Sequence, residues 1–166
     1  MAENSNPEPH IFFVDTRFQR MARRPGGIPR EQAIERAQSQ VDELKPGFPA
    51  WLDRELQNFI AAIRQLETDP TDMTQLETAY HSCCQLRDVG TTMGFVLITF
   101  ISNILCEHLD AFKTGAPYHK ETIDCHIDAL ILASKAPYCN LHPDQLPEMT
   151  GGLRQVVERA KNSTAE

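Results

Sequence analysis

Apolar residues recur along most of the chain at three- and four-residue steps, the spacing that lines one face of an α-helix. Over residues 29–44, Ile34, Ala37, Val41 and Leu44 fall on one face, and Lys45-Pro46-Gly47 supplies a stop. A stronger helix is predicted from Pro49 to Glu67, with Leu52, Leu56, Phe59, Ile63 and Leu66 as its seam and Trp51 near its start. Asp69-Pro70-Thr71-Asp72 then separates two helices. Asp69 suits a cap, Pro70 the first helical position, and Asp72 the positive end of the helix dipole.

The next stretch repeats Leu76, Ala79, Cys83, Leu86, Gly90 and Met93, a narrow seam for a bundle core. Gly90 and Gly94 predict a bend or a very short connection into the following helix. From Phe95 to Phe112 the chain is apolar almost all round, with Ile98, Ile101, Leu105, Leu109 and Phe112 as the core line. Thr99, Asn103, Glu107 and Asp110 mark its wetter side, so this helix is expected to be central. A loop over residues 113–117 leads to a helix from His119 to Ser134, with Ile123, Ile127, Leu130 and Ile131 apolar. After a second loop, a last helix starts near Asp144 and carries Leu146, Met149, Leu153, Val156 and Ala160, weakened by Gly151-Gly152.

No strand alternation of useful length and no internal repeat interrupt this pattern. The predicted fold class is all-α: an antiparallel helical bundle with a four-helix core plus flanking N- and C-terminal helices. The single domain is expected over residues 29–162, with a frayed tail over 163–166. Residues 1–28 form an arm that is expected to be partly disordered. It carries an apolar patch from His10 to Val14 and a basic cluster of Arg17, Arg20, Arg23 and Arg24, either a solvated face or a contact for an acidic partner.

Composition narrows the function classes. A chain of 166 residues with 41% hydrophobic and 23% charged residues has room for one sizeable core. A formal net charge of −7 argues against a nucleic-acid-coating protein, which needs basic stripes. The longest apolar run, Phe95 to Ile101, is far short of a membrane span. The N-terminal residues show no secretory pattern, and the five cysteines fall mostly within helical patterns. The expected location is therefore a reducing cytoplasm.

A second stripe on the third predicted helix carries the candidate chemistry. Met73, Tyr80, Cys84, Arg87 and Thr91 share a side, with Glu77, His81 and Asp88 beside them. This mixes exposed apolar groups with a thiol, an imidazole and a guanidinium. It is either ordinary surface or a partner-binding face formed by Met73, Tyr80, His81, Cys84, Arg87, Asp88 and Thr91. Cys84 beside Arg87 also admits a redox-sensing reading, because a nearby cation favours thiolate. Among the cysteine–histidine pairs, only Cys139-x-x-His142 has chelate spacing, and the paired pattern of a zinc ribbon is absent. With no glycine-rich phosphate loop, GxSxG elbow or HExxH, no catalytic residue, cofactor or metal is expected.

The same stretch resembles the histidine-containing phosphotransfer (HPt) domain. Its motif places a histidine, an aliphatic residue at +2, Lys or Arg at +3, Gly at +4, and Leu-Gly at +9 and +10. With Cys84 at the histidine position, Leu86, Arg87, Met93 and Gly94 fall at +2, +3, +9 and +10. With His81 there, the same offsets give Cys83, Cys84, Gly90 and Thr91, a much poorer fit. The continuation after Gly94 and the run Cys125-His126-Ile127-Asp128-Ala129-Leu130 look like a bacterial HPt-like subfamily, so the resemblance covers about residues 30–135. It implies a helical bundle in two-component signalling whose partner is a receiver domain or a histidine kinase. Cys84 replaces the phosphoryl acceptor, and Asp88 replaces the glycine that lets a partner approach. The resemblance therefore implies docking without phosphotransfer. A relay through His81 remains the alternative.

Overall fold

A computed structural model describes residues 16–22 and 25–162. The expectations for residues 1–15, for Arg23 and Arg24, and for residues 163–166 lie outside the described residues. The helices are α1 (Arg17–Ala22), α2 (Arg30–Leu44), α3 (Phe48–Thr68), α4 (Met73–Met93), α5 (Val96–Lys113), α6 (Lys120–Ala133) and α7 (Pro147–Asn162). Short 3-10 turns lie at Lys45–Gly47, Tyr138–Asn140 and Pro143–Gln145, and no strand occurs among the described residues. The fold class is all-α, as the periodicity predicts.

The chain divides into two units, Met1–Gln38 and Ser39–Glu166, a division that falls inside α2. In the first unit, the described residues comprise α1 and the beginning of α2. No residue of α2 is buried, and Ile34 and Leu44 are 56% and 61% exposed. The stripe predicted over Ile34, Ala37, Val41 and Leu44 is therefore not a core seam. A helical period shows that one face is apolar; it does not supply the surface that covers it.

The second unit holds the bundle. Phe59, Ile63 and Leu66 of α3 meet Leu76, Ala79, Cys83 and Leu86 of α4, Ile98, Ile101, Leu105 and Leu109 of α5, and Ile123, Ile127 and Leu130 of α6. Burial of each large aliphatic side chain contributes about 1.5–3 kcal/mol against unfolding. α5 packs against α4, α6 and α7, which makes it the central helix. α7 is more than a flank, because Leu153 and Val157 enter the same core. Val157 occupies the place predicted for Val156, since steps of three and four from Leu153 both satisfy the helical period. Ile131, one of the four apolar positions of the predicted helix, is 41% exposed. Thr122, His126 and Ala133 take up the buried arc of α6 instead.

Charge pairs along one side record the antiparallel run of α3 and α6. Lys120 Nζ lies 2.6 Å from Glu67, Arg64 lies 3.6 Å from Asp124, and Lys135 pairs with Asp53. These exposed pairs mark register more than they stabilise, each contributing about 0–1 kcal/mol.

The connections around α4 follow from a few residues. Asp72 caps the helix, accepting from the amides of Thr74 and Gln75 at 3.0 and 3.1 Å. Asp69 instead closes its own turn, accepting from the Thr71 amide at 3.0 Å and the Thr71 hydroxyl at 2.6 Å. At the far end Gly94 takes φ +92°, a conformation that side chains disfavour. Its amide donates to Thr91 O at 3.1 Å and that of Phe95 to Gly90 O at 2.8 Å, a Schellman closure that turns the chain into α5. The short connection is thus present. Gly90, however, marks close helix contact rather than a bend, because a Cβ there would sit 2.6 Å from Thr99 Oγ1.

Candidate functional site

α4 lies between α3 and α5 on its core side, and its remaining surface carries the stripe singled out above. The hairpin register controls what each stripe residue meets. Because α4 and α5 run antiparallel from the turn at Gly94 and Phe95, residues roughly equidistant from that turn face each other. Gly90 therefore meets Thr99, Cys83 and Cys84 meet Cys106, and Glu77 meets Lys113.

The stripe separates into two lines. Met73 (52% exposed), His81, Asp88 and Thr91 are on the open side. Met73 and His81 border a shallow hollow of about 610 Å³ with Thr74, Glu77, Thr78 and Ser82. A ring nitrogen of His81 is taken by the Gln85 amide nitrogen at 3.0 Å. Tyr80, Cys84 and Arg87 line the α5 border and are half-buried, not fully exposed as the apolar strip predicted. Lys113 Nζ lies 4.3 Å from the centre of the Tyr80 ring and 2.8 Å from Glu77, so a cation spans both side chains.

Arg87 and Asp88 form the charged end of the stripe. Arg87 Nε donates to Asp88 Oδ1 at 2.9 Å, and this bond raises the guanidinium pKa above its ordinary value. The neighbouring carboxylate therefore offsets the charge of the cation at this end of the stripe. Thr99 Oγ1 donates to the Arg87 carbonyl at 3.0 Å and accepts from the Thr91 amide at 2.8 Å. Thr99, predicted on the wet side of α5, is instead the half-buried clamp on the end of α4.

Cys84 belongs to a three-thiol cluster. Its sulfur lies 3.7 Å from Cys106 Sγ, and Cys106 Sγ lies 3.2 Å from Cys83 Sγ. Cys83 also donates to Ser102 O at 3.4 Å, which anchors the inner end. Burial pushes the Cys83 thiol well up, and burial with the adjacent Cys106 also pushes Cys84 up. The Cys106 thiol moves down, chiefly through its hydrogen-bonded contact with Cys83, with further lowering from the contact with Cys84 and from nearby Arg87. Arg87 alone predicted thiolate on Cys84; the structure shifts that tendency to Cys106, the thiol with two partners.

This cluster is the feature that reasoning along single helices missed. Cys106 sits two residues before His108 in sequence and more than twenty residues after Cys83 and Cys84, yet across the hairpin it meets both. The antiparallel register about the glycine turn was the signal that could have found it. The pattern also missed an apolar hollow of about 350 Å³ on the opposite side of α4. Leu44, Gly47, Phe48, Trp51, Val89 and Met93 line it. His142 of the Cys139-x-x-His142 pair lies 3.2 Å from Asp144. Among the described residues, no group of three or more His, Cys, Asp or Glu side chains is arranged so that it could hold a metal ion.

Set against known protein families, characterised proteins and solved structures, the chain matches none. Among the described residues, no helix is long and apolar enough to cross a membrane.

Proposed function

We propose that this protein is a docking module of two-component signalling: an HPt-like bundle that engages a receiver or histidine kinase domain through α4 without passing phosphate on. The observation that carries this reading is the state of the acceptor position. Cys84 stands where the motif has its histidine, and its sulfur turns toward Cys106. The cation at +3, Arg87, is already bound by Asp88. Phosphoryl relay needs an in-line nitrogen nucleophile and a cation available to offset the developing charge. Neither requirement is met at Cys84.

The docking surface remains well supplied. Met73, His81, Asp88 and Thr91 are exposed along one side of a well-capped helix, with Tyr80, Cys84 and Arg87 behind them. A rigid helix face with apolar and polar anchors suits a partner of complementary shape.

Relay through His81 has one observation in its favour: this imidazole is exposed beside an open hollow. Its neighbours at +3 and +4, however, are Cys84 and Gln85, so no cation stands one turn along. The two readings separate in one experiment. The purified chain is titrated with receiver and kinase domains from the same genome, then incubated with receivers phosphorylated on aspartate. Saturable binding without label on the chain supports docking. Acid-labile label that disappears in His81→Ala supports relay, and absence of binding to every domain removes both.

A further inference from the structure

We propose that Cys84 and Cys106 are an oxidation site, at which a hydroperoxide drives formation of a disulfide that ties α4 to α5. The inference rests on the thiol cluster alone and is independent of any signalling partner.

The geometry supplies a pair of unequal thiols and a neighbour. Cys84 is half-buried and has the cluster's access to solvent, whereas Cys83 is fully buried and Cys106 is only 3% exposed. Cys106 lies within reach of both other sulfurs, at 3.7 Å from Cys84 and 3.2 Å from Cys83. A disulfide has an S–S length of about 2.05 Å, so closing the 3.7 Å Cys84–Cys106 gap takes a sulfur displacement of roughly 1.7 Å. The two cysteines stand on facing helices of one hairpin held at its turn by Gly94 and Thr99, so the gap closes without loop rearrangement.

The chemistry balances in two steps. A hydroperoxide transfers one oxygen to the Cys84 sulfur, giving a sulfenic acid and the alcohol, or water from hydrogen peroxide. The Cys106 sulfur then attacks the Cys84 sulfur and expels hydroxide, which leaves as water with the Cys106 proton. The S–S bond takes two electrons from the thiol pair, and the peroxide O–O bond receives them. The contacts of Cys106 with Cys83 and Cys84, with Arg87 near, hold its thiol pKa below the usual value and so favour the attacking form. Cys83 lies close enough to Cys106 to exchange into the bond afterwards, which would release Cys84 to its reduced state.

Arg64, Arg87 and Lys113 place the cluster on two adjacent tryptic peptides: residues 65–87 carry Cys83 and Cys84, and residues 88–113 carry Cys106. The full-length reduced protein is treated with mild hydrogen peroxide, its remaining thiols are blocked, and the unreduced digest is analysed by mass spectrometry. The expected product is the two peptides joined, lighter by two hydrogens than their reduced sum. It is lost in Cys106→Ser, slowed in Cys84→Ser, and retained in Cys125→Ser and Cys83→Ser. Wild-type protein in which all five cysteines are blocked after peroxide overturns the proposal without recourse to any variant. So does a joined product that forms equally fast in Cys84→Ser.

Discussion

Thr99 lies directly over Gly90, with its hydroxyl 2.6 Å from where a Gly90 Cβ would be. From there it donates to Arg87 O and accepts from the Thr91 amide. The missing side chain and the bridging hydroxyl are two halves of one contact, which brings α5 against the last turns of α4. A Cβ at position 90 would also meet Phe95 O at 3.0 Å and Thr99 N at 3.1 Å, so backbone as well as a side chain must yield.

Gly90→Ala therefore tests the closeness of this helix pair. In an exposed helix interior the change stabilises by about 1 kcal/mol. Here overpacking, typically about 1–3 kcal/mol, opposes it and is expected to win. Denaturant unfolding should show a lower midpoint than the parent. An equal or higher midpoint would mean that the helices separate freely.

Asp72 should matter to the other end of α4. It accepts two amide hydrogen bonds at the helix start, and Asp72→Ala leaves both donors to solvent. The expected loss is about 1 kcal/mol, within the usual range for a removed cap. Asp72→Asn retains a capping oxygen and should recover most of it, measured by the same unfolding transition.

The Arg87–Asp88 pair separates docking from fold. Arg87→Glu should weaken binding to a receiver or kinase domain while shifting stability by no more than about 0.5 kcal/mol, as for most surface changes. Unchanged affinity would take Arg87 out of the docking face. The double variant Cys84→His with Asp88→Gly restores the motif's nucleophile and frees the guanidinium. It is expected to take acid-labile phosphate from a phosphorylated receiver, and a variant that binds but stays unlabelled would show that more than these two positions disables the relay.

Tyr118 gives a pH dependence whose sign is determined by burial. Its hydroxyl pKa is raised from 10.0 to about 12, mainly by desolvation, with Glu67 raising it further and Lys120 opposing. The folded value lies above the unfolded one, so the neutral phenol favours the folded state. That contribution is complete below pH 10 and is lost as pH rises through 12. Stability measured between pH 9 and 12 should fall less steeply in Tyr118→Phe than in the parent, and parallel curves would count against the effect.

Much of the fold was legible because helix periodicity is a local property. Leu76, Ala79, Cys83, Leu86 and Gly90 are buried as their spacing predicted, and so is the α3 seam from Leu52 to Leu66. The failures share a cause. The Ile34-to-Leu44 stripe has the right period but remains exposed, and Thr99 has a polar side chain but faces the helix it clamps. Burial depends on what lies opposite, and no window along one helix contains that.

By itself, the sequence determined the helices, their stops and the mixed stripe on α4, because spacing, proline, glycine and capping residues act within a few positions of one another. Only the tertiary structure decided what that stripe can do. Antiparallel packing about Gly94 brings Cys106 from the next helix to Cys84, so the half-buried thiol of the stripe faces a second thiol. Folding also shows Arg87 bound by its sequence neighbour Asp88. Both outcomes depend on side-chain directions across a packed hairpin, which a linear pattern does not record.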